Sequence, residues 1–283
     1  MLISDLLTEV PPVHDPPVPK FTVDHLSWSS LSTYAMCPRK YYYHYVERAP
    51  QEFVPASLAF GGAFHQAAEQ IHQAHFESAS LPDVETLLKI YDVSWKESAG
   101  EKPVAYAKGE CAQTLRTSAE RMLTAYLNHV MAQASCASGA RPVAIEHTRR
   151  FRLHPDIPPI QMRIDLLELH GRELIITDIK TSRSRWNETK VREVLPQLVL
   201  YSLGVLPLVK EFGAARIVPQ FAVVTKAKTA AVQILKPAAC SDDVTRLKRQ
   251  IFETWEGIRK HVFVQRTGWP CSQCPFQKRC LGS

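Results

Sequence analysis

The sequence predicts an α/β fold: a mixed β-sheet flanked by helices, with a helical N-terminal half and a cysteine-rich C-terminal tail. Three observations predict it. Helical periodicity dominates residues 58–134, period-two alternation takes over from Arg141, and the tail gathers three cysteines, Cys271, Cys274 and Cys280, within ten residues. The coarse order reads helices, three strands, helix, two strands, helix, which suits a sheet with helices packed on it. A chain of 283 residues with 45% hydrophobic content can bury one sizeable core, or a core and a smaller subdomain.

Residues 9–19, EVPPVHDPPVP, hold five prolines and cannot build helix or sheet, so 1–26 reads as an extended, mobile arm. Ser29 or Ser30 can cap a short helix. Pro38 then restarts the chain as an aromatic, basic helix, in which Tyr34, Tyr41, Tyr42, Tyr43 and Tyr45 interleave with Arg39, Lys40 and Arg48. Such a stretch either stacks bases and holds phosphates or supplies a core face, and the two readings weigh about evenly. Residues 58–79 form a helix with Phe60, Phe64, Ala68 and Ile71 as its apolar stripe. Gly61-Gly62 allows another backbone to approach, and His65 lies one turn before Glu69. Periodicity continues through 83–98 and 110–134, where Cys111 and Cys136 stand singly and read as small apolar residues.

From Arg141, Val143, Ile145, Phe151 and Leu153 alternate with polar residues, Glu146 among them. Arg163 to Lys180, RIDLLELHGRELIITDIK, is a β-hairpin pattern: two short apolar runs reversed at His170-Gly171. Each run carries one Asp, Asp165 and Asp178, where a buried strand prefers none. Alternation puts Asp178 and Lys180 on one face and Ile179 on the other. Two carboxylates and an ammonium at one end of a sheet can hold a hard divalent ion and stabilise charge on a phosphate. Taken alone, Asp-Ile-Lys is so common that a solvated surface pair is the favoured reading, and only its company along the chain points further. A basic loop with Arg183 and Arg185 follows, then an apolar helix over 191–210 in which Gln197 and Tyr201 share a face. Two strands, RIVPQFAVVTK and AAVQILK, and a helix from Asp242 to about Val264 complete the core.

The net charge of +6 is compatible with a polyanionic partner. No run of 18 apolar residues occurs, so no membrane span is expected. MLISDLLTEV carries an Asp and a Glu and no basic n-region, which is not a secretory signal, and a cytoplasmic setting is expected. Seven cysteines in such a chain argue against a disulfide framework and toward metal ligation for those that cluster. The CxxC at Cys271–Cys274, with Cys280 beyond it, needs a fourth sulfur. Candidates are Cys37, Cys111, Cys136 and Cys240, with Cys37 favoured by its Cys-Pro-Arg-Lys context. The spacing suits zinc and an iron–sulfur centre alike.

Taken together, Gly61-x3-His65, Asp165, Asp178-Ile-Lys180 and Gln197-x3-Tyr201 resemble the RecB-type branch of the PD-(D/E)XK nuclease superfamily. The pattern Cys37 … Cys271-x2-Cys274-x5-Cys280 is similar to that of its iron–sulfur subgroup, which includes CRISPR-associated RecB-like exonucleases and AddB-type nuclease domains. The match runs from about residue 27 to 280, and Thr181-Ser182 stands where the family often has Thr-Gly. The resemblance implies one restriction-endonuclease-like domain over 27–283. Within it, 27–57 and 265–283 would form the iron–sulfur subdomain, 58–140 the helical part, 141–240 the catalytic core and 241–264 the C-terminal helix. It further implies that His65, Asp165, Asp178 and the Ile179 carbonyl bind Mg²⁺ or Mn²⁺ and that Lys180 positions or activates water. Gln197 and Tyr201 would orient the DNA strand or Lys180, and Cys37, Cys271, Cys274 and Cys280 would hold a structural [4Fe–4S] cluster. Arg39, Lys40, Tyr41, Arg183 and Arg185 are the expected DNA contacts. The implied activity is metal-dependent DNA exonuclease action in repair, recombination or CRISPR-type processing, with a helicase or CRISPR adaptation proteins as partners. Two other readings stand beside it: a non-catalytic DNA-binding or scaffold module of the same fold, and a zinc-stapled endonuclease.

Overall fold

A computed structural model describes residues 21–135 and 139–282. Helix α1 (Trp28–Met36) is followed by α2 (Pro38–Tyr41), which runs on as a π-helical turn over Tyr42–Val46. The long helices α3 (Ala56–Phe76), α4 (Val84–Ala99) and α5 (Ala112–Ala134) come next, with two-residue strands β1 (Val54–Pro55) and β2 (Val104–Ala105) paired in parallel beside them. The second half contains β3 (Arg141–Phe151), β4 (Ile160–His170), β5 (Glu173–Ser182), α6 (Glu188–Glu211), β6 (Arg216–Thr225) and β7 (Val232–Leu235). Helix α7 (Ser241–Arg259) and a short α8 (Gln277–Leu281) close the chain. The proline stretch 9–19 and Cys136 lie outside the described residues. Residues 21–26, expected in the mobile arm, are instead engaged: Leu26 is fully buried, and its backbone bonds to Pro159 and Gln161 at 2.9 and 2.7 Å.

The five long strands lie in the order β3-β4-β5-β6-β7. All neighbours are antiparallel except β5 and β6, and a parallel pair needs a crossover, which α6 provides. The β4–β5 hairpin reverses at Gly171, whose φ of +57° favours a residue without a Cβ. On one face Leu174, Ile176, Phe221 and Val223 pack under Leu198 and Val205 of α6. On the other, Ile179, Ala222 and Val224 pack against Phe60 and Phe64 of α3 and Leu123 of α5. Strand β5 is therefore covered on both sides, which is why Leu174-Ile175-Ile176 reads as a continuous apolar run. Helix α6 has the length and hydropathy of a membrane-crossing helix, yet Leu198, Tyr201, Val205 and Leu208 sit in the sheet's core.

A third cluster settles the tyrosine-rich segment. Tyr41 is only 2% exposed and stacks on Phe263, centroids 6.2 Å apart, and burial pushes its phenol up to about 12. It is a core residue, which corrects its expected place among the DNA contacts. The cap of α1 also differs from expectation. Ser27, with an extended φ of −135°, accepts from the Ser30 amide, and Ser30 Oγ accepts from the Ser27 amide in return. Cys111 is not apolar filler: it is exposed at the N-cap of α5, its amide donating to Thr114 Oγ1 at 2.9 Å.

Glu168 is a buried carboxyl in this sheet, with Thr177 Oγ1 donating to it at 3.4 Å and Gln220 Nε2 donating to that hydroxyl at 2.8 Å. Burial raises its pKa from 4.5 to about 6. The folded state thus holds the proton more tightly than the unfolded chain. Its favourable contribution is complete below the unfolded value and is lost as pH rises through the folded one. Glu168→Gln keeps the acceptor and removes the charge. The variant should match wild type in acid and exceed it by roughly 2 kcal/mol at neutral pH, as read from urea midpoints at both pH values.

Candidate active site

The site forms where β4 and β5 part. Their ladder ends at Leu166 opposite Thr177, so the next residues on the two strands are Asp165 and Asp178. Ile164 and Leu167 both belong to the core under α6 although they are three apart, so side-chain alternation slips once between them. Across the β3–β4 pair the regular ladder skips Glu146 and Asp165, and Glu146 takes a left-handed φ of +48°. A non-glycine residue there is strained, and such strain collects at functional sites. The distortion brings both carboxylates to α3. His65, Glu146 and Asp165 place one donor atom each within 4.8 Å of one another, and His65 Nδ1 lies 3.6 Å from Asp165 Oδ1. With Arg163 and Gln66 they line an open cavity of about 310 Å³. Arg163 also forms an ion pair with Glu146. Asp165 Oδ2 accepts from the Ile179 amide at 2.6 Å, taking the donor that the broken ladder leaves behind.

Asp178 is 2% exposed, held on a strand that the long parallel ladder with β6 keeps rigid. Lys180 Nζ lies 2.8 Å from its Oδ2. Its Oδ1 accepts from Gln197 Nε2 at 2.8 Å, and the same amide nitrogen donates to Tyr201 Oη at 2.8 Å. The helical spacing read from the sequence thus delivers Gln197 and Tyr201 together behind the Asp178–Lys180 pair. A buried ion pair is weak evidence for stability, since desolvation offsets most of its attraction. Its retention here, fully hydrogen-bonded on one oxygen, points to chemistry.

Burial raises the Asp165 carboxyl to about 7, with the charge of Asp178 adding to the effect. Burial raises Glu146 as well, reinforced by Asp165, and lowers the His65 imidazole. For Lys180, burial opposes the charged form, but Asp178 outweighs it and keeps the ammonium above its ordinary value. The cleft therefore crowds carboxylates beyond what the neighbouring cations balance. One imidazole and several carboxylates in a cavity open to water are a donor set that fits Mg²⁺ or Mn²⁺.

His65, Asp165, Asp178, Lys180, Gln197 and Tyr201 all converge here. The Ile179 side chain packs in the core on the α3 side, while its amide reaches Asp165. Glu146 is the residue sequence reasoning did not assign. No motif surrounds it, and its one usable signal is its place opposite Asp165 in a hairpin partner. Cys37, Cys271, Cys274 and Cys280 line a separate small cavity of about 20 Å³ beside Lys40 and Arg266. Burial raises the thiols of Cys274 and Cys280, with neighbouring cysteines adding. Arg183 and Arg185 are exposed in the loop after β5, and Arg39 lies 5.8 Å from the Tyr42 ring centre.

Comparison with known proteins bears on the fold and the family. Among solved structures, the crystal structure of a "Putative exonuclease" from Eubacterium rectale matches with a TM-score of 0.51 and 13% identity. The match covers 87% of this chain and 91% of that one, and at such identity the likeness is one of fold. The structure of SSO0001 matches with a TM-score of 0.32 and 14% identity, over 82% of this chain and 87% of that one. No curated protein matches the chain. The family model of the PD-(D/E)XK nuclease superfamily matches residues 25–281, spanning the helical half, the sheet and the cysteine tail alike. The chain belongs to the PD-(D/E)XK nuclease superfamily.

Proposed function

We propose that the protein is a RecB-type, Mg²⁺- or Mn²⁺-dependent DNA exonuclease, acting in the cytoplasm in DNA repair, recombination or CRISPR-type processing. The observation that carries this reading is the meeting of His65, Glu146 and Asp165 with the buried Asp178–Lys180 pair at one fork in the sheet. His65, Asp165, Asp178 and the Ile179 carbonyl would hold the ion, with Glu146 as a further donor. A bound divalent ion supplies Lewis acidity toward a phosphate and makes water a better nucleophile. Lys180, fixed by Asp178, orients the attacking water or meets charge that develops on the phosphate. Gln197 holds Asp178 from behind, and Tyr201 holds Gln197.

Digestion of end-labelled linear and circular DNA in Mn²⁺, wild type beside Lys180→Ala, tests the reading. An exonuclease degrades the linear DNA and spares the circle. Nicked circles would make the protein an endonuclease, and intact DNA in every lane would leave the scaffold reading. Gln197→Ala should slow cleavage roughly tenfold to a hundredfold, and Tyr201→Phe less, because positioning contributes less than direct action at the reacting atoms. Single-turnover rates on the linear substrate check both.

For the cysteines we propose a [4Fe–4S] cluster rather than zinc. All four thiols line one cavity, which supports a shared metal centre, and iron and sulfide analysis separates the cluster from zinc.

A further inference from the structure

A cavity of about 500 Å³ opens beside the fork, and its chemistry is not explained by the groups described so far. Its walls come from four separate parts of the chain: Ser57 in the first turn of α3, Tyr106 after β2, Thr181 to Arg183 after Lys180, and Lys226 after β6, with Gln273 of the cysteine-rich tail at its edge. Lys226 and Arg183 bring two positive charges, and Glu110 of the same wall, whose charge acts on both, brings one negative charge. The Lys226 ammonium lies 3.7 Å from the centre of the Phe60 ring and, among the described residues, forms no ion pair with a carboxylate. Arg183 is held by Glu110 at 3.2 Å, yet its side chain stays 70% exposed. The aromatic wall is Tyr106, which is 39% exposed and lies nearly parallel to Trp95 at 6.5 Å, so one of its faces remains open. The cavity also lies on the path of the chemistry. Ser182 follows Lys180 by two strand residues, about 7 Å at roughly 3.4 Å each. That is one or two nucleotides along a single strand.

We infer that this cavity receives an unpaired nucleotide next to the scissile phosphate, with Lys226 and Arg183 on its phosphate and Tyr106 stacked on its base. The inference rests on the nuclease reading and narrows it to substrates with a single-stranded end. A base in a duplex stays in its stack and cannot enter a cavity walled from several sides, whereas an unpaired base presents its π face to an aromatic side chain. Charge and stacking without base-edge contacts give little preference among sequences.

The test measures binding, in EDTA so that metal-dependent cleavage is off, by the anisotropy of a fluorescein-labelled oligothymidylate over a range of salt. Lys226→Met keeps the apolar stem on Phe60 and removes the charge. It should weaken binding roughly tenfold and make the salt slope shallower by about 0.7, the share of one phosphate contact on a single strand. Tyr106→Ala should weaken binding roughly 5- to 100-fold, while Tyr106→Phe binds as wild type. A blunt duplex should bind more weakly than the single strand and be indifferent to Tyr106→Ala. Unchanged affinity and slope in Lys226→Met together with unchanged affinity in Tyr106→Ala overturns the inference. So does a wild type that does not bind the oligonucleotide, or a duplex that loses as much as the single strand on Tyr106→Ala. Failure of the nuclease reading looks different: the binding contrasts persist, but wild type cleaves nothing in Mn²⁺.

Discussion

Asp178→Ala and Asp165→Ala are each expected to slow cleavage on the order of a thousandfold or more, while DNA affinity stays within a few-fold of wild type. Asp178 touches both halves of the machinery: Lys180 on one oxygen and Gln197 on the other. Removing it takes away a carboxylate from the proposed ion and frees the ammonium that should face the phosphate. Most DNA affinity comes from Lys and Arg contacts to phosphates elsewhere, and losing an acidic charge favours a polyanion. Because Asp178→Ala leaves a mostly buried Lys180 without its counter-charge, a loss of stability accompanies it. Asp178→Asn separates the two effects, since it keeps the shape and an acceptor for Gln197. Lys180→Ala should stop cleavage equally but leave metal affinity nearly intact, because an ammonium does not ligate. Single-turnover rates in Mn²⁺ beside anisotropy and metal titration check the set. An Asp178→Ala variant that cuts at the wild-type rate sinks the site assignment.

The second large effect concerns the tail. Protein purified without air should be brown and carry about four iron and four sulfide per chain. Cys274→Ala should bleach it, whereas Cys111→Ala, at an exposed helix cap, should not. The segment around Cys37 and the cysteine-rich tail are also joined by the protein itself. Tyr34 Oη donates to the Val262 carbonyl at 2.6 Å, Arg266 to the Ala35 carbonyl at 2.7 Å, and Arg279 pairs with Glu47 across 232 residues of sequence. Losing the proposed cluster should therefore release the tail after Arg266 first and leave the sheet folded. Limited proteolysis should cut the bleached variant there before anywhere else. Stoichiometric zinc without sulfide would overturn the cluster.

The strand and helix order, the hairpin, the shared face of Asp178 and Lys180, and the pairing of Gln197 with Tyr201 were legible because each depends on a local period. What escaped depends on distant partners or on local distortion. Tyr41 looks like a stacking residue until Phe263 covers it. Ser27 outcompetes Ser29 and Ser30 as a cap because of the extended backbone at the chain's entry, which no composition reveals. Glu146 points at His65 only because the ladder is broken at Glu146 and Asp165, and a period-two reading assumes that it never breaks.

The hydrogen bond from the Ile179 amide to Asp165 has a spectroscopic consequence. That proton sits on a carboxylate rather than on a strand carbonyl, so its resonance follows the charge state of Asp165 and anything that competes for the same oxygen. In a ¹⁵N-correlated NMR spectrum, adding Mg²⁺ should move the Ile179 cross-peak while Leu174 and Ile175, bonded in the regular ladder, stay in place. One backbone amide would then gauge the occupancy of the site directly, with no nucleic acid present and no turnover.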